Sequence, residues 1–220
     1  MLSQAKKVLN HYSFGVPRQP DAQGVHFNFM ARGEPLSSEI IARSGENLFL
    51  KLGEIAYDHG LKPRYLISTI MPESQSESLV SMFPTVHPEI YYSLYSMDPE
   101  FRKRWMPRAA DPNEALDDLA EWQYHTKKVI KIHFALIEGL NDTPENALAI
   151  TDAVNARDLR VDYALVRYNP LTEKHGKEAP EWSVQQFAED LKRHHRYRPR
   201  VKVVDRVGPD VAASCGMFVS

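Results

Sequence analysis

Two hydrophobic periods take turns along this chain. Short stretches with every second residue apolar, or apolar throughout, predict strands at Val25–Met30 (VHFNFM), Arg64–Thr69 (RYLIST), Glu89–Tyr95 (EIYYSLY), Val129–Ile137, Val161–Arg167 and Arg200–Val204. Between them lie segments that predict helices near Leu2–Tyr12, over Ser38–His59 up to Gly60, and near Ser76–Met82. Further helices are predicted around Pro99–Trp105 and Glu114–Thr126, from Thr143 to about Arg157, and over Ser183–His195. The run Thr143-Pro144-Glu145-Asn146 carries the hydroxyl cap and first-turn proline of a helix start. Strands separated by helices require parallel pairing and right-handed crossovers. The pattern therefore predicts an α/β fold, either an open doubly wound sheet or a complete or partial parallel (βα) barrel. No linker, repeat or low-complexity tract divides residues 1–220, which read as a single domain; the longest loop-like stretch is Asn169–Trp182.

The polar residues that punctuate the strand ends carry the candidate chemistry, because ligands of parallel barrels are held at the carboxyl ends of several strands. Those ends supply Gly33 and Glu34, Ser68 and Thr69, Ser93 and Tyr95, Glu138, Asn169 and, beyond the last strand, Cys215. The first exit is the most informative. Arg32-Gly33-Glu34-Pro35 combines a glycine that permits a sharp turn with a proline that fixes the way out, and it leaves a carboxylate at a strand end. Such a carboxylate accepts strong, charge-assisted hydrogen bonds from a ligand ammonium group. The plain alternative is that strand exits are polar because they meet water. There is no GxGxxG after the first strand and no GxxxxGK[ST] anywhere, which argues against a dinucleotide or P-loop sheet.

Charge and cysteine content narrow this further. The formal net charge is −2, so affinity for nucleic acid has to come from a local patch. The richest basic stretch is Lys192–Arg206, with His194, His195 and Tyr197 inside it; Arg102, Lys103, Arg104 and Arg108 form a second. Either could contact RNA phosphates, or could be a solvated helix end whose cations complement the helix dipole. The nine histidines show no HxH or HExxH spacing, so no metal site is expected from them. No apolar run approaches membrane-span length and the first ten residues lack a signal-peptide core, so a cytoplasmic protein without a membrane partner is expected. Cys215 is the only cysteine, which excludes an internal disulfide and any cluster needing several thiolates from this chain.

The segments FNFMARGEPL, LISTIMP, YYSLYSMDPEFRKRWMP, FALIEGLNDTPENA, LVRYNP and AASCGMF, taken together and in this order, resemble the RlmN/Cfr group. These are radical S-adenosylmethionine (SAM) enzymes that methylate adenine carbons in ribosomal RNA and, for some members, transfer RNA. The resemblance covers about Phe27 to Phe218. It implies that Gly33 and Glu34 belong to a turn whose glutamate holds the amino group of S-adenosylmethionine. It also implies that Ser68, the Ser93-Leu94-Tyr95 run and Asn169 contact that cofactor, and that Cys215 takes a methyl group and passes its carbon to adenine. The chain departs from the group in four places. Ala31-Arg32 stands where the family usually reads Gly-Met, Tyr95 where it has histidine, Ile70-Met71 replaces Ser-Gly, and Asp205-Arg206-Val207-Gly208 replaces Lys-[Ser/Thr]-Arg-Gly.

The resemblance also implies a [4Fe–4S] cluster on a CxxxCxxC loop after the family's first strand, and that motif is absent here. The expected fold is thus a partial parallel (βα) barrel of the radical SAM type, lacking its first strand and cluster loop. Three functions stay open. The chain is part of a radical enzyme methylating an adenine carbon in RNA, inactive without a cluster-bearing segment or partner chain. Alternatively it is a non-catalytic RNA-binding or regulatory relative, or an unrelated βα-barrel enzyme.

Overall fold

The structure, a computed structural model, describes residues 1–15, 22–30, 33–170 and 175–205. The described residues contain six strands and seven α-helices in chain order. These are α1 (Leu2–Asn10), β1 (Gly24–Phe29), α2 (Glu39–Asp58), β2 (Lys62–Thr69), α3 (Leu79–Met82), β3 (Glu89–Tyr92), α4 (Pro99–Trp105), α5 (Pro112–Thr126), β4 (Ile130–Ala135), α6 (Pro144–Ala156), β5 (Val161–Val166), α7 (Glu181–His194) and β6 (Val201–Val203). The strands stand in the sheet in the order of the chain, β1 to β6, which decides for the barrel type over the doubly wound sheet, whose strand order reverses at a switch point. This is the α/β, parallel βα architecture of a partial barrel. Among the described residues no helix is long and apolar enough to cross a membrane.

Contacts divide the chain into two compact units, Met1–Thr69 with Gln75–Ile90, and Ile70–Ser74 with Tyr91 onward. In the first, β1 and β2 pair in parallel from Gly24↔Lys62 to Phe29↔Ile67. Phe49 of α2, fully buried, organises the core of this unit. Its ring lies 4.9 Å from Tyr65 and 5.3 Å from Phe83, both stacked, and 4.8 Å from Phe29. Tyr65 is fixed in turn by its hydroxyl, which donates to the Phe49 carbonyl at 2.7 Å. Two glycines of α2 make this approach possible: a Cβ on Gly45 would come within 3.1 Å of Phe83, and one on Gly53 within 2.7 Å of the Tyr65 hydroxyl.

In the second unit β3, β4, β5 and β6 are successively parallel, with Tyr91↔Lys131, Ile132↔Tyr163 and Leu165↔Val203 in register. Alternation decides the two faces. Ile130, Ile132 and Phe134 of β4 and Val161, Tyr163 and Leu165 of β5 are buried, as are Leu116, Leu119 and Trp122 of α5, Ile150 and Val154 of α6, and Phe187 and Leu191 of α7. The intervening positions Lys131, His133, Asp162 and Ala164 are half-buried. The helices start where aspartate or threonine precedes proline. Asp98, Asp111 and Thr143 each accept a first-turn amide, and Pro99, Pro112 and Pro144 follow. The third strand is shorter than its sequence pattern predicts, ending at Tyr92, and three residues later the backbone takes φ +61° at Tyr95, outside the extended region.

Candidate functional site

The first strand exit lies in the first unit. Gly33 adopts φ +136°, a region that an L side chain rarely enters, which is the local reason for glycine here. Glu34 follows in extended conformation and caps the short helix Pro35–Ser37, its Oε1 accepting the Leu36 amide at 3.0 Å. A carboxylate offers about four acceptor positions, of which this cap uses one. Gly33 and Glu34 line a cavity of about 760 Å³ whose other walls are β1 and the apolar side of α1, including Val8 and Leu9. Ser68 is half-buried near the end of β2, next to fully buried Thr69. The register of the two strands brings their carboxyl ends side by side.

The second unit holds Ser93, Leu94, Tyr95 and Asn169. Ser93 is buried and its Oγ lies 3.1 Å from Nε2 of His133 on the neighbouring strand. Burial pushes the His133 imidazole down to a pKa of about 4, so it is neutral at physiological pH. Leu94 is fully buried, and its carbonyl accepts from Arg102 Nη1 at 2.8 Å. The Tyr95 carbonyl accepts from two side-chain amides, Asn141 Nδ2 at 3.1 Å and Asn146 Nδ2 at 3.2 Å. Asn141 also accepts the Ile137 amide at 2.7 Å and donates to Ala135 O at 3.1 Å, and Ser96 Oγ donates to Asn146 Oδ1 at 2.7 Å. Asn169 is half-buried just past β5. Cys215 lies outside the described residues.

The structure thus gathers Ser93, Leu94 and Tyr95 onto one braced turn, with Gly33, Glu34 and Ser68 in the other unit. The braces Arg102, Asn141, Asn146 and His133 were not among the predicted site residues. Asn141 and Asn146 carried a signal nevertheless, since both are polar positions inside the FALIEGLNDTPENA segment. Arg102 takes a different part from the one its basic run suggests. It is 6% exposed and its guanidinium is spent on Leu94 O, Ser96 O and Ala110 O, so it leaves the candidate RNA patch, while Lys103, Arg104 and Arg108 stay exposed. Much of the Lys192–Arg206 stretch is neutralised in place. Lys192 pairs with Glu189, Arg193 with Asp190, Arg196 with Asp158 and Arg200 with Asp162. Met71, standing where the family has glycine, takes the left-handed conformation at φ +52° with its side chain 3% exposed.

The residue types at these exits fit S-adenosylmethionine, with a half-buried carboxylate at a cavity wall beside a hydroxyl-bearing strand end. They do not fit a [4Fe–4S] cluster. The chain has one cysteine, and among the described residues no group of three His, Cys, Asp or Glu side chains could hold a metal ion.

No family model matches the chain. Among curated proteins it is 31% identical over 196 residues to a probable RNA methyltransferase of Thiobacillus denitrificans, an alignment covering 86% of this chain and 50% of that one. It is 26% identical over 198 residues to a probable dual-specificity RNA methyltransferase RlmN of Picosynechococcus, covering 89% and 54% respectively. The chain is thus similar in sequence to curated RNA methyltransferases, RlmN proteins among them. It spans about half the length of the curated relatives it matches. A radical SAM methyltransferase from Sphaerobacter thermophilus shares the fold, with a TM-score of 0.65 at 18% identity over 86% of this chain and 53% of that one. The sequence resemblance to the RlmN group and the parallel βα fold therefore agree.

Proposed function

We propose that this chain is the cofactor- and substrate-binding part of a radical SAM enzyme that methylates an adenine carbon in RNA. The observation that carries the reading is a coincidence of sequence and geometry. The chain aligns with RNA methyltransferases over most of its length, and the Gly33-Glu34 turn opens on a cavity at a strand exit. In this reading Glu34 binds the ammonium of S-adenosylmethionine. Ser68, at the neighbouring strand exit of the same unit, contacts it through its hydroxyl. Cys215 would take the methyl group that bound S-adenosylmethionine supplies, its thiolate acting as the nucleophile and S-adenosylhomocysteine being the leaving group. The reaction is cytoplasmic, and its acceptor is an RNA adenine.

The cluster that such enzymes use has to come from outside the residues present. We infer that its carrier, an additional segment or a partner chain, pairs with the outer edge of β1. Among the described residues β1 pairs only with β2, which leaves its other edge without a strand partner there.

Calorimetric titration of S-adenosylhomocysteine into the full chain tests the cofactor site. Loss of a charge-assisted contact predicts that Glu34→Ala binds about 1.5–3 kcal/mol more weakly. Equal affinity of the two proteins removes Glu34 from the site. Binding of RNA together with no measurable S-adenosylhomocysteine binding would favour the non-catalytic RNA-binding relative instead.

A further inference from the structure

The second unit contains a second cavity, of about 460 Å³, built at the carboxyl side of its strands from Tyr95, Trp105, Met106, Arg108, Ile137 and Tyr168 among others. Its volume falls within the roughly 300–1,000 Å³ of small-ligand pockets. Three aromatic rings and a cation at one strand-end cavity are not what a hydrophobic core needs, and Trp105 and Tyr168 are only half-buried. The rings are held in place from behind. Trp105 stacks on Phe101 at 6.0 Å with 23° between planes, and meets Tyr168 edge-on at 6.4 Å. The Tyr168 hydroxyl donates to the His175 carbonyl at 2.5 Å. The next residue, Gly176, turns at φ +83° so close to the wall that a Cβ there would fall 2.8 Å from Ile137 Cγ2 and 3.7 Å from Trp105 Cη2.

The charges around the cavity point in one direction. Arg104 lies over the Trp105 ring at 5.2 Å, and Arg108 lines the cavity. Lys103, Arg104 and Arg108 are exposed, and among the described residues none of the three has a carboxylate partner. In the Lys192–Arg206 stretch, by contrast, four cations (Lys192, Arg193, Arg196 and Arg200) are paired with acids, while Arg198 and Lys202 have no carboxylate partner among the described residues. Fixed aromatic planes beside unmatched cations are the chemistry that reads single-stranded RNA, in which splayed bases stack on aromatic faces and phosphates meet Lys and Arg.

We propose that this cavity seats one unstacked purine base of the RNA, stacked on Trp105 and enclosed by Tyr95 and Tyr168, with the adjoining phosphates on Lys103, Arg104 and Arg108. The proposal rests on the RNA-modifying reading above and names the groups that would hold its substrate.

The test titrates the full chain, in a Trp182→Phe background that removes the most exposed indole, with a short oligoadenylate and separately with S-adenosylhomocysteine. Oligoadenylate is expected to quench Trp105 at saturation. Trp105→Leu and Tyr168→Leu are each expected to weaken its binding about 5- to 150-fold, the range seen when a stacking residue is truncated. Trp105→Phe, which restores a flat ring and guards against a folding defect, keeps most of the affinity. Oligoadenylate binding wild type and Trp105→Leu equally overturns the base pocket and leaves the RNA reading standing. No RNA binding by the wild-type chain overturns both. Quenching of Trp105 by S-adenosylhomocysteine but not by oligoadenylate overturns the proposal and gives the cavity to the cofactor.

Discussion

At Gly33 the chain leaves a strand through a glycine at φ +136°, where an added Cβ would meet nothing within 4 Å. At Met71 and Tyr95 it leaves strands through bulky residues at φ +52° and +61°. A non-glycine residue in such a conformation costs of order 1–3 kcal/mol and persists only where its surroundings over-determine it. For Tyr95 the surroundings are visible: two asparagine amides on its carbonyl, and Arg102 on the carbonyl of Leu94 beside it. For Met71 they are a carbonyl that accepts the Ala110 amide at 2.8 Å and a buried side chain. The first exit is shaped by what its own residue permits, and the others by what distant residues impose.

The strongest way to break this contrast is to remove the brace. Asn141 is fully buried and serves Ile137, Ala135 and Tyr95 at once, so Asn141→Ala orphans a buried amide and withdraws support from two carbonyls. A loss of about 4 kcal/mol is expected in urea denaturation, with the site turn disordered before the rest of its unit. A loss under about 1 kcal/mol would mean that the turn stands without its amides.

A pH series sharpens the contrast next. His133, beside Ser93, has a folded pKa of about 4 because burial disfavours its charge, against about 6.5 in the unfolded chain. Between those values the unfolded chain takes up a proton that the folded chain refuses, so stability is full above about pH 6.5 and falls as the pH drops towards 4. The expected loss is about 2 kcal/mol at pH 5 and about 3 kcal/mol at pH 4. His133→Asn should lose that share of the slope, read as the difference in urea midpoint between pH 7 and pH 5. Identical slopes in the two proteins would show that His133 is hydrated and titrates normally.

The smallest effect belongs to the first exit. Gly33→Ala meets no atom, so its cost is that of the backbone alone, about 1–2 kcal/mol in a thermal or urea melt. A neutral substitution would show that this turn relaxes freely.

The same contrast explains what could be read in the sequence. Asp98-Pro99, Asp111-Pro112 and Thr143-Pro144 announce helix starts because the cap and the proline act within one turn. The Gly33-Glu34 turn was legible for the same reason. Nothing in methionine or tyrosine announces a left-handed residue, and the amides that hold Tyr95 lie 46 and 51 positions away. Arg102 was misleading in a related way. In a run of basic residues every side chain looks alike, yet one helical turn points Arg102 inward and leaves Lys103 and Arg104 outside.

The bracing of Tyr95 has a consequence for how such a site diversifies. Its two asparagines grip the main-chain oxygen and make no demand on the ring, so the conformation of the turn is insulated from the identity of the side chain it displays. Position 95 acts as a socket. A different side chain can stand in it while the geometry of the turn is kept, so the chemistry offered to a ligand can drift without the turn having to be invented again.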